Sequence, residues 1–160
     1  MTRVLAAVVA LALGCAVWFG VETASLQPDD NAALVDTAAT ASVSAEVSDA
    51  VKAVFSYDYA NLARTERAAS EFLIDDAATQ YKAQFASARK VAESAKQVRT
   101  TTVRAIGVRS LQGDEASVLL FLDQQTLTQG GGAPSSSVAQ LSVTAKRVDG
   151  RWKLATLTAL

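Results

Sequence analysis

Residues 146–160 read KRVDGRWKLATLTAL, and this stretch is typical of two antiparallel strands joined by a tight turn. Asp149 and Gly150 are a strong signal for a two-residue hairpin, because both central positions of its turn need positive φ angles. Beyond the turn, the apolar Trp152 and Leu154 fall on one face of a strand, because successive side chains alternate between faces. The stretch therefore predicts the closing hairpin of an antiparallel sheet.

Three segments before this turn are also strand-like. Residues 138–148 alternate between apolar and polar side chains, and residues 100–108 are rich in β-branched residues. Residues 116–128 contain an apolar run at 118–122, which predicts a strand covered on both faces at that point. Together with the closing strand, these segments predict four consecutive antiparallel strands.

The residues before the strands have helical periodicity. Apolar residues at 47–54 form one stripe that predicts a first helix ending near Tyr59, and residues 61–73 contain a short second helix. Asp75 and Asp76 are typical of an N-cap and a first-turn acid for a third helix. One apolar seam runs along this third helix, formed by Tyr81, Phe85, Ala88, Ala92 and Ala95.

Helices followed by a run of strands indicate an α+β fold, in which the helices pack on one face of a curved four-stranded antiparallel sheet. We assign residues 45–160 to this domain. Residues 22–44 are rich in Ala, Ser, Thr and Asp, and they are predicted to be a stalk or linker.

Residues 4–21 form an apolar run of 18 residues without a charge. A helix of that length spans roughly 27 Å, close to the thickness of a bilayer core. Arg3 precedes the run and acids follow it. The positive-inside rule therefore places residues 1–3 in the cytoplasm and the C-terminal domain outside. The sequence predicts a cell-membrane protein with one transmembrane helix at 4–21.

Cys15 leaves a second interpretation open. Residues 11–15, LALGC, resemble a bacterial lipobox, which would make the protein a lipoprotein anchored at Cys15. Against this, the residues after Cys15 are apolar and aromatic, whereas a lipoprotein normally begins with a flexible polar tether. We therefore favour the uncleaved anchor, in which Cys15 is a small apolar side chain in mid-membrane.

Composition excludes several classes of function. The 160 residues carry a net charge of −1 and no histidine, so histidine-based acid–base catalysis and histidine-ligated zinc are excluded. A nucleic-acid-binding surface would need a net basic stripe. The glycines at 130–132 lack the spacing of a phosphate-binding loop, and the paired acids at 29–30 and 75–76 are commonplace in loops and caps. We therefore predict no cofactor, no metal and no nucleic-acid partner.

Four short motifs carry a resemblance to a known family. They are SYDY at 56–59, FLIDDAATQY at 72–81, LLFLDQQT at 119–126 and VDGRW at 148–152. With the predicted anchor and the order of elements, they make nearly the whole chain similar to the Mce-associated membrane proteins of actinobacteria. One departure lies before the third helix, where the family usually has a small turn, often Thr-Gly, and this chain has two aspartates.

The resemblance implies a single N-terminal membrane helix and an outer domain of nuclear-transport-factor-2-like, or cystatin-like, fold. It also implies a non-catalytic accessory or stabilising subunit of an Mce-type system, which imports lipids or sterols across the cell envelope. The implied partners are the membrane, the subunits of the Mce-type transporter, and lipid.

Five aromatic residues are candidates for the core or for a cavity in the cone of such a domain, namely Tyr57, Tyr81, Phe85, Phe121 and Trp152. A cone filled by Trp152, Phe121 and their neighbours would favour an interaction subunit. A cavity lined by Tyr57, Tyr81 and Phe85 would favour a membrane-tethered module that binds a small apolar ligand.

Charge is distributed unevenly along the chain. Residues 29–76 contain 10 acids and three bases, whereas residues 82–109 contain 7 bases and one acid. Helix dipoles explain part of this, because acids come early and bases late, and pairing between segments within the fold is one explanation of the remainder. The sharper explanation is a basic, partner-facing surface formed by Arg89, Lys90, Lys96 and Arg99.

Domains of this fold also include enzymes, in which a carboxylate or phenol inside the cone transfers a proton. The sequence pairs none of the corresponding candidates with a second proton carrier, and analogy of fold alone is a weak argument for chemistry. We therefore predict that the protein is not an enzyme. The candidates are Tyr57, Tyr59, Tyr81, Asp58, Asp76 and Asp123.

Overall fold

The computed structural model describes residues 31–130 and 133–160. The predicted membrane helix at 4–21, the residues 1–3 before it and Cys15 therefore lie outside the described part of the chain. Among the helices that are described, none combines the length and the apolar character needed to cross a bilayer.

Three helices precede four long strands, as the sequence predicts. The helices are α1 (Thr37–Phe55), α2 (Leu62–Phe72) and α3 (Asp75–Ser94), with short 3-10 turns at Ala32–Leu34 and Tyr59–Asn61. The strands are β1 (Tyr57–Asp58), β2 (Gln97–Gln112), β3 (Glu115–Thr128), β4 (Ser135–Val148) and β5 (Arg151–Ala159). They form one antiparallel sheet in the order β1-β2-β3-β4-β5, which confirms the α+β class.

The sheet has five strands rather than the predicted four, because the first helix ends earlier than its apolar stripe suggests. Helix α1 stops at Phe55, and Ser56 is already extended, with φ −98° and ψ 137°. Tyr57 and Asp58 then pair with Arg99 and Val98 of β2. A strand of two residues is too short to produce a period of two, so the sequence pattern missed it.

Helix α1 fills the inner face of the sheet. Its side chains Val43, Val47 and Val51 are completely buried, and they belong to the same core cluster as Leu120 of β3 and Leu154 of β5. Strand register shifts in β2 and β5 bend the sheet, since an extra residue in one strand increases its local twist. The interior of the curled sheet is therefore occupied by valines, as the buried aliphatic stripe of α1 requires.

The folded unit begins well before residue 45 and comprises Asn31–Leu160. The side-chain oxygen of Asn31 accepts hydrogen bonds from the backbone N–H groups of Ala33 (3.0 Å) and Leu111 (2.9 Å). Val43, which we placed in the stalk, is fully buried. Residues 31–44 of the predicted linker are thus part of the domain, and residues 22–30 lie outside the described part.

The turn before β5 and the N-cap of α3 were both predicted from the sequence. Asp149 and Gly150 have φ angles of 52° and 77°, so the predicted hairpin turn is confirmed. The predicted N-cap of the third helix is wrong, because Ile74 occupies that position and α3 starts at Asp75. The Asp75 carboxylate instead accepts a hydrogen bond from Nζ of Lys146 at 2.9 Å.

Strand β3 is covered on only one face. Leu120 and Leu122 are buried against the helices, whereas Phe121 points to the outer face and is 38% exposed. The prediction of Phe121 as a core residue, and of a strand covered on both faces, is therefore wrong. An apolar run in a sequence does not reveal how many layers cover the sheet, and in this domain the helices cover only one face.

A buried polar cluster fixes the corner between α1 and β1. Thr101 of β2 donates its backbone N–H to Oγ of Ser56 (3.0 Å) and its hydroxyl to the carbonyl of Phe55 (2.9 Å). The hydroxyl of Thr65 in α2 donates to the carbonyl of Ser56 at 3.0 Å. Since Thr65 and Thr101 are almost inaccessible to water, these hydrogen bonds replace those the groups would make with solvent.

We expect Ser56→Ala to lower the free energy of unfolding by about 1–3 kcal/mol, because it leaves the buried N–H of Thr101 without an acceptor. Chemical denaturation of the full chain measures this. Ser70→Ala is the matched control, since the Ser70 hydroxyl also bonds a backbone group, the carbonyl of Glu66, but lies on an exposed surface. Equal stability of the two variants would show that the cluster does not hold the corner.

Candidate binding groove

A groove with a volume of about 690 Å³ lies between α2 and α3. Small side chains of both helices keep it open, among them Ala69 and Ser70 of α2 and Ala78 and Ala86 of α3. Its other lining residues are Glu66, Leu73, Tyr81, Lys82, Phe85, Arg89, Lys90 and Glu93.

Two aromatic rings contribute the apolar part of this groove. Tyr81 and Phe85 are one helical turn apart on α3, and their rings stack with centroids 4.9 Å apart and planes 15° apart. Tyr81 packs against the main core, and its hydroxyl donates to the carbonyl of Val54 at 3.4 Å. Phe85 is half-buried and packs against a second, smaller cluster formed by Tyr57, Leu62 and Ala92.

The predicted seam of α3 is therefore confirmed as the inward face of the helix. Ala92 is buried, while Tyr81, Phe85, Ala88 and Ala95 are half-buried. The seam packs against α2 and β1 as well as the sheet, and its two aromatic residues also line the groove between α2 and α3.

Basic side chains line the outer part of the groove. Arg89 donates hydrogen bonds to the carboxylates of Glu93 (3.0 Å) and Glu66, which lies on α2. The hydrogen bond that Arg89 donates to Glu93 and the negative charge of Glu66 raise the pKa of Arg89. No salt bridge within the described residues involves Lys82 or Lys90. These two ammonium groups are therefore the free positive charges of the groove.

The phenol of Tyr81 is held in its neutral form. Burial, and to a smaller extent the negative charge of Glu66, raises its pKa well above the usual range. A phenol with a raised pKa is a poor proton donor at neutral pH. Its position in the groove suits a polar contact within an apolar wall rather than proton transfer.

A second groove, of about 560 Å³, lies where the end of α1, β1 and α2 meet. Tyr57 lines it, and the guanidinium of Arg99 lies 5.2 Å from the centre of the Tyr57 ring. Nε of Arg99 also donates to the hydroxyl of Thr126 at 3.1 Å. Lys52 and Arg64 line the same groove. Tyr57 and the pair Tyr81–Phe85 therefore do not line one cavity, although the sequence analysis grouped them.

The four predicted basic residues do not form one face. Arg89 and Lys90 line the groove between α2 and α3, whereas Arg99 lines the second groove. Lys96 lies in a third depression at the end of α3, with a φ angle of 48°. Pairing between the two charged segments occurs in one contact, Glu66–Arg89. Glu71 and Asp75 pair instead with Arg151 and Lys146, which lie outside residues 82–109.

Two of the three candidate carboxylates, Asp58 and Asp123, make structural contacts. Asp58 accepts a hydrogen bond from the backbone N–H of Ala60 at 2.9 Å, and Asp123 pairs with Arg104 at 2.8 Å on the outer face of the sheet. Asp76 is exposed in the first turn of α3. The hydroxyl of Tyr59 donates to the side chain of Gln129. In residues 31–130 and 133–160, no group of three or more acidic, Cys or His side chains is placed to hold a metal ion.

Trp152 is a core residue, as predicted, and not part of a cavity. Its side chain is 3% exposed, and its backbone N–H donates to the carboxylate of Glu46 at 3.0 Å. The guanidinium of Arg147 lies 5.3 Å from its ring centre.

The contribution of α2 to the groove was not predicted from the sequence. The signal in the sequence of α2 is the small pair Ala69–Ser70, which is also typical of close packing between helices.

The described part of the chain is an α+β domain whose fold is similar to that of VirB8-type proteins. It superposes on an IcmL-like type IV secretion system protein from Legionella pneumophila with a TM-score of 0.65 and 12% identity, over 75% of this chain and 91% of that chain. VirB8 of Agrobacterium tumefaciens gives a TM-score of 0.61 and 13% identity, over 75% and 90% of the two chains. At these identities the likeness concerns the fold alone.

In sequence, the chain is similar to two uncharacterized proteins of Mycobacterium tuberculosis, MT1407 and Rv1362c. Each is 35% identical over 127 residues, which are 77% of this chain and 56% of the relative. The chain thus spans little more than half the length of the curated relatives it matches. No protein-family model matches it.

The raised pKa of Tyr81 predicts a loss of stability in alkali. Below pH 10 the phenol is neutral in both states, and as the pH rises above 10 it ionises in the unfolded chain first. We expect the wild-type free energy of unfolding to fall relative to Tyr81→Phe by up to about 1 kcal/mol per pH unit above that point. Denaturation at pH 8–11.5 tests this, and a constant difference across that range would contradict it.

Proposed function

We propose that this protein is a non-catalytic accessory subunit that holds or stabilises an Mce-type lipid or sterol importer in the cell envelope. It would be tethered to the cell membrane by residues 4–21, or by a lipid on Cys15, with the domain on the outer side. The resemblance to Mce-associated proteins motivates the proposal. The likeness of fold to type IV secretion system proteins is consistent with a subunit of a multiprotein envelope assembly.

One observation carries the proposal. Helix α1 occupies the inner face of the sheet, which is where a ligand cavity or a proton-transferring group of the expected cone would lie. The core residues Val47, Leu120 and Leu154 line neither of the two larger grooves. The two grooves lie on the outside of the domain, where they are accessible to a partner protein.

The groove between α2 and α3 is the surface that suits such a partner. Its stacked aromatic rings supply apolar area, and Lys82 and Lys90 supply free positive charge beside it. An apolar centre with a charged rim is the usual anatomy of a protein interface. A membrane tether would raise the local concentration of the domain near membrane-embedded subunits, so that modest affinity would suffice.

Deletion of the gene and complementation test this proposal. Loss of the protein should lower the amount of the other importer subunits and slow lipid uptake together, and the wild-type chain should restore both. The double variant Lys82→Glu/Lys90→Glu should restore neither, because it reverses the free charge of the groove. Arg109→Glu is the control, since Arg109 is exposed but lines neither groove.

Three further variants separate binding from catalysis. Asp58→Asn, Asp76→Asn and Asp123→Asn should restore uptake, because no carboxylate transfers a proton in this proposal. A variant that stays folded and co-purifies with the importer, yet fails to restore uptake, would make that aspartate a catalytic candidate and overturn the non-catalytic assignment.

A second candidate function rests on the size and lining of the same groove. A volume of about 690 Å³ is within the range of small-molecule sites, roughly 300–1,000 Å³, and the floor is aromatic. In this alternative the groove binds a small apolar ligand with an anionic head, whose charge would meet Lys82 and Lys90.

Substitution by tryptophan tests whether the groove binds such a ligand. We expect Ala86→Trp to fill the groove and to abolish saturable binding of a fluorescent long-chain fatty acid by the full chain. Ala83→Trp, on the same helix but not in the groove, should bind the probe as the wild type does. Wild-type protein that shows no saturable binding would rule out this candidate and leave the interaction subunit.

A further inference from the structure

Strand β4 has a segment that lacks a partner strand on one side in the described part of the chain. Strand β4 pairs with β3 along residues 135–146, but with β5 only from Leu141 to Val148. Residues 135–140 therefore have a free edge on the side away from β3. Apart from one bond from the N–H of Leu160 to the carbonyl of Gln140 (3.1 Å), no backbone group of residues 31–130 or 133–160 pairs with this edge.

The bond to Gln140 shows which backbone groups face the open edge. In an antiparallel strand, alternate residues direct their N–H and C=O groups to the same side. Since Gln140 directs its carbonyl away from β3, Val138 and Ser136 do the same. Their N–H and C=O groups are therefore available to an added strand.

An apolar patch lies beside the same edge. Val138 is 79% exposed, Leu160 is 70% exposed, and Phe121 is 38% exposed on the neighbouring strand. Together they line a shallow depression of about 390 Å³ on the outer face of the sheet. Free backbone groups next to an apolar pocket are the two features used when a strand is added to a sheet edge.

The edge also lacks the usual protection against strand pairing. Natural edge strands are protected by lysines, prolines or bulges, whereas residues 135–140 read SSSVAQ, with no charge and no proline. A two-fold axis would bring identical side chains near each other across the seam, so a charged edge would repel its own copy. An uncharged edge is electrostatically compatible with self-pairing, because like charges are absent from both sides.

We propose that two copies of this chain associate through β4, antiparallel about a two-fold axis at Ser137, to form one continuous sheet. In this register Ser136 of each copy lies opposite Val138 of the other. Both residues direct backbone groups to the edge, so four hydrogen bonds form without breaking the bond between Leu160 and Gln140. The apolar patches of the two copies then lie side by side on the outer face. This inference is independent of the function proposed above.

Cysteine cross-linking of the full chain in detergent tests the register, in a Cys15→Ala background that removes the native thiol. Ser137 faces its own copy as a non-hydrogen-bonded pair, with Cα atoms roughly 4.5 Å apart, within the range that a disulfide bridges. We expect Ser137→Cys to give a covalent dimer as the main product of mild oxidation. Ser136→Cys should stay monomeric on denaturing gels, because its copy lies diagonally across, roughly 7–8 Å away.

Equilibrium ultracentrifugation with a surface variant provides the second readout. Val138→Lys should raise the dimer dissociation constant at least about tenfold, because it brings two like charges to the seam. Val138→Thr, which keeps a neutral β-branched residue, should stay within about threefold of the wild type. A monomeric wild type would overturn the proposal, as would a dimer that Ser137→Cys does not trap or that Val138→Lys leaves intact.

Discussion

The packing of α1 against the inner face of the sheet is the contact on which the other features depend. The valine stripe of this helix meets Leu120 and Leu154 with no side chain of the contact exposed by more than 1%. Closely packed interiors leave little room for a ligand. Within the described residues the inner face of the sheet is therefore filled by side chains of α1, and the two grooves lie on the outside of the domain.

The polar corner at Ser56 connects this core to the outer groove. Ser56 accepts a hydrogen bond from β2 through its hydroxyl and one from Thr65 of α2 through its carbonyl. Helix α2 is thus attached to the sheet and to the end of α1 at one point. Because α2 forms one wall of the groove, the separation of the two walls depends on this buried cluster as well as on the helix packing.

The sequence predicted the features that local chemistry determines. Asp149 and Gly150 specify the hairpin, and the alternation around Leu141 specifies β4, because turn conformation and strand period are encoded within a few residues. Features that depend on distant layers were missed. Phe121 looks like a core residue until the number of covering layers is known, and β1 is too short to have a period. The groove likewise requires the relative position of two helices.

The charge pattern shows how an apparent surface motif is changed by folding. Arg89 belongs to a basic block in the sequence, but Glu66 and Glu93 pair with it in the fold. The free charges of the groove are therefore those that no acid of another segment reaches, here Lys82 and Lys90. The edge of β4 is the opposite case, because its neutrality is already visible in the sequence while its exposure is not. The groove beside α3 is therefore suited to a charged partner, and the edge of β4 is suited to an uncharged strand.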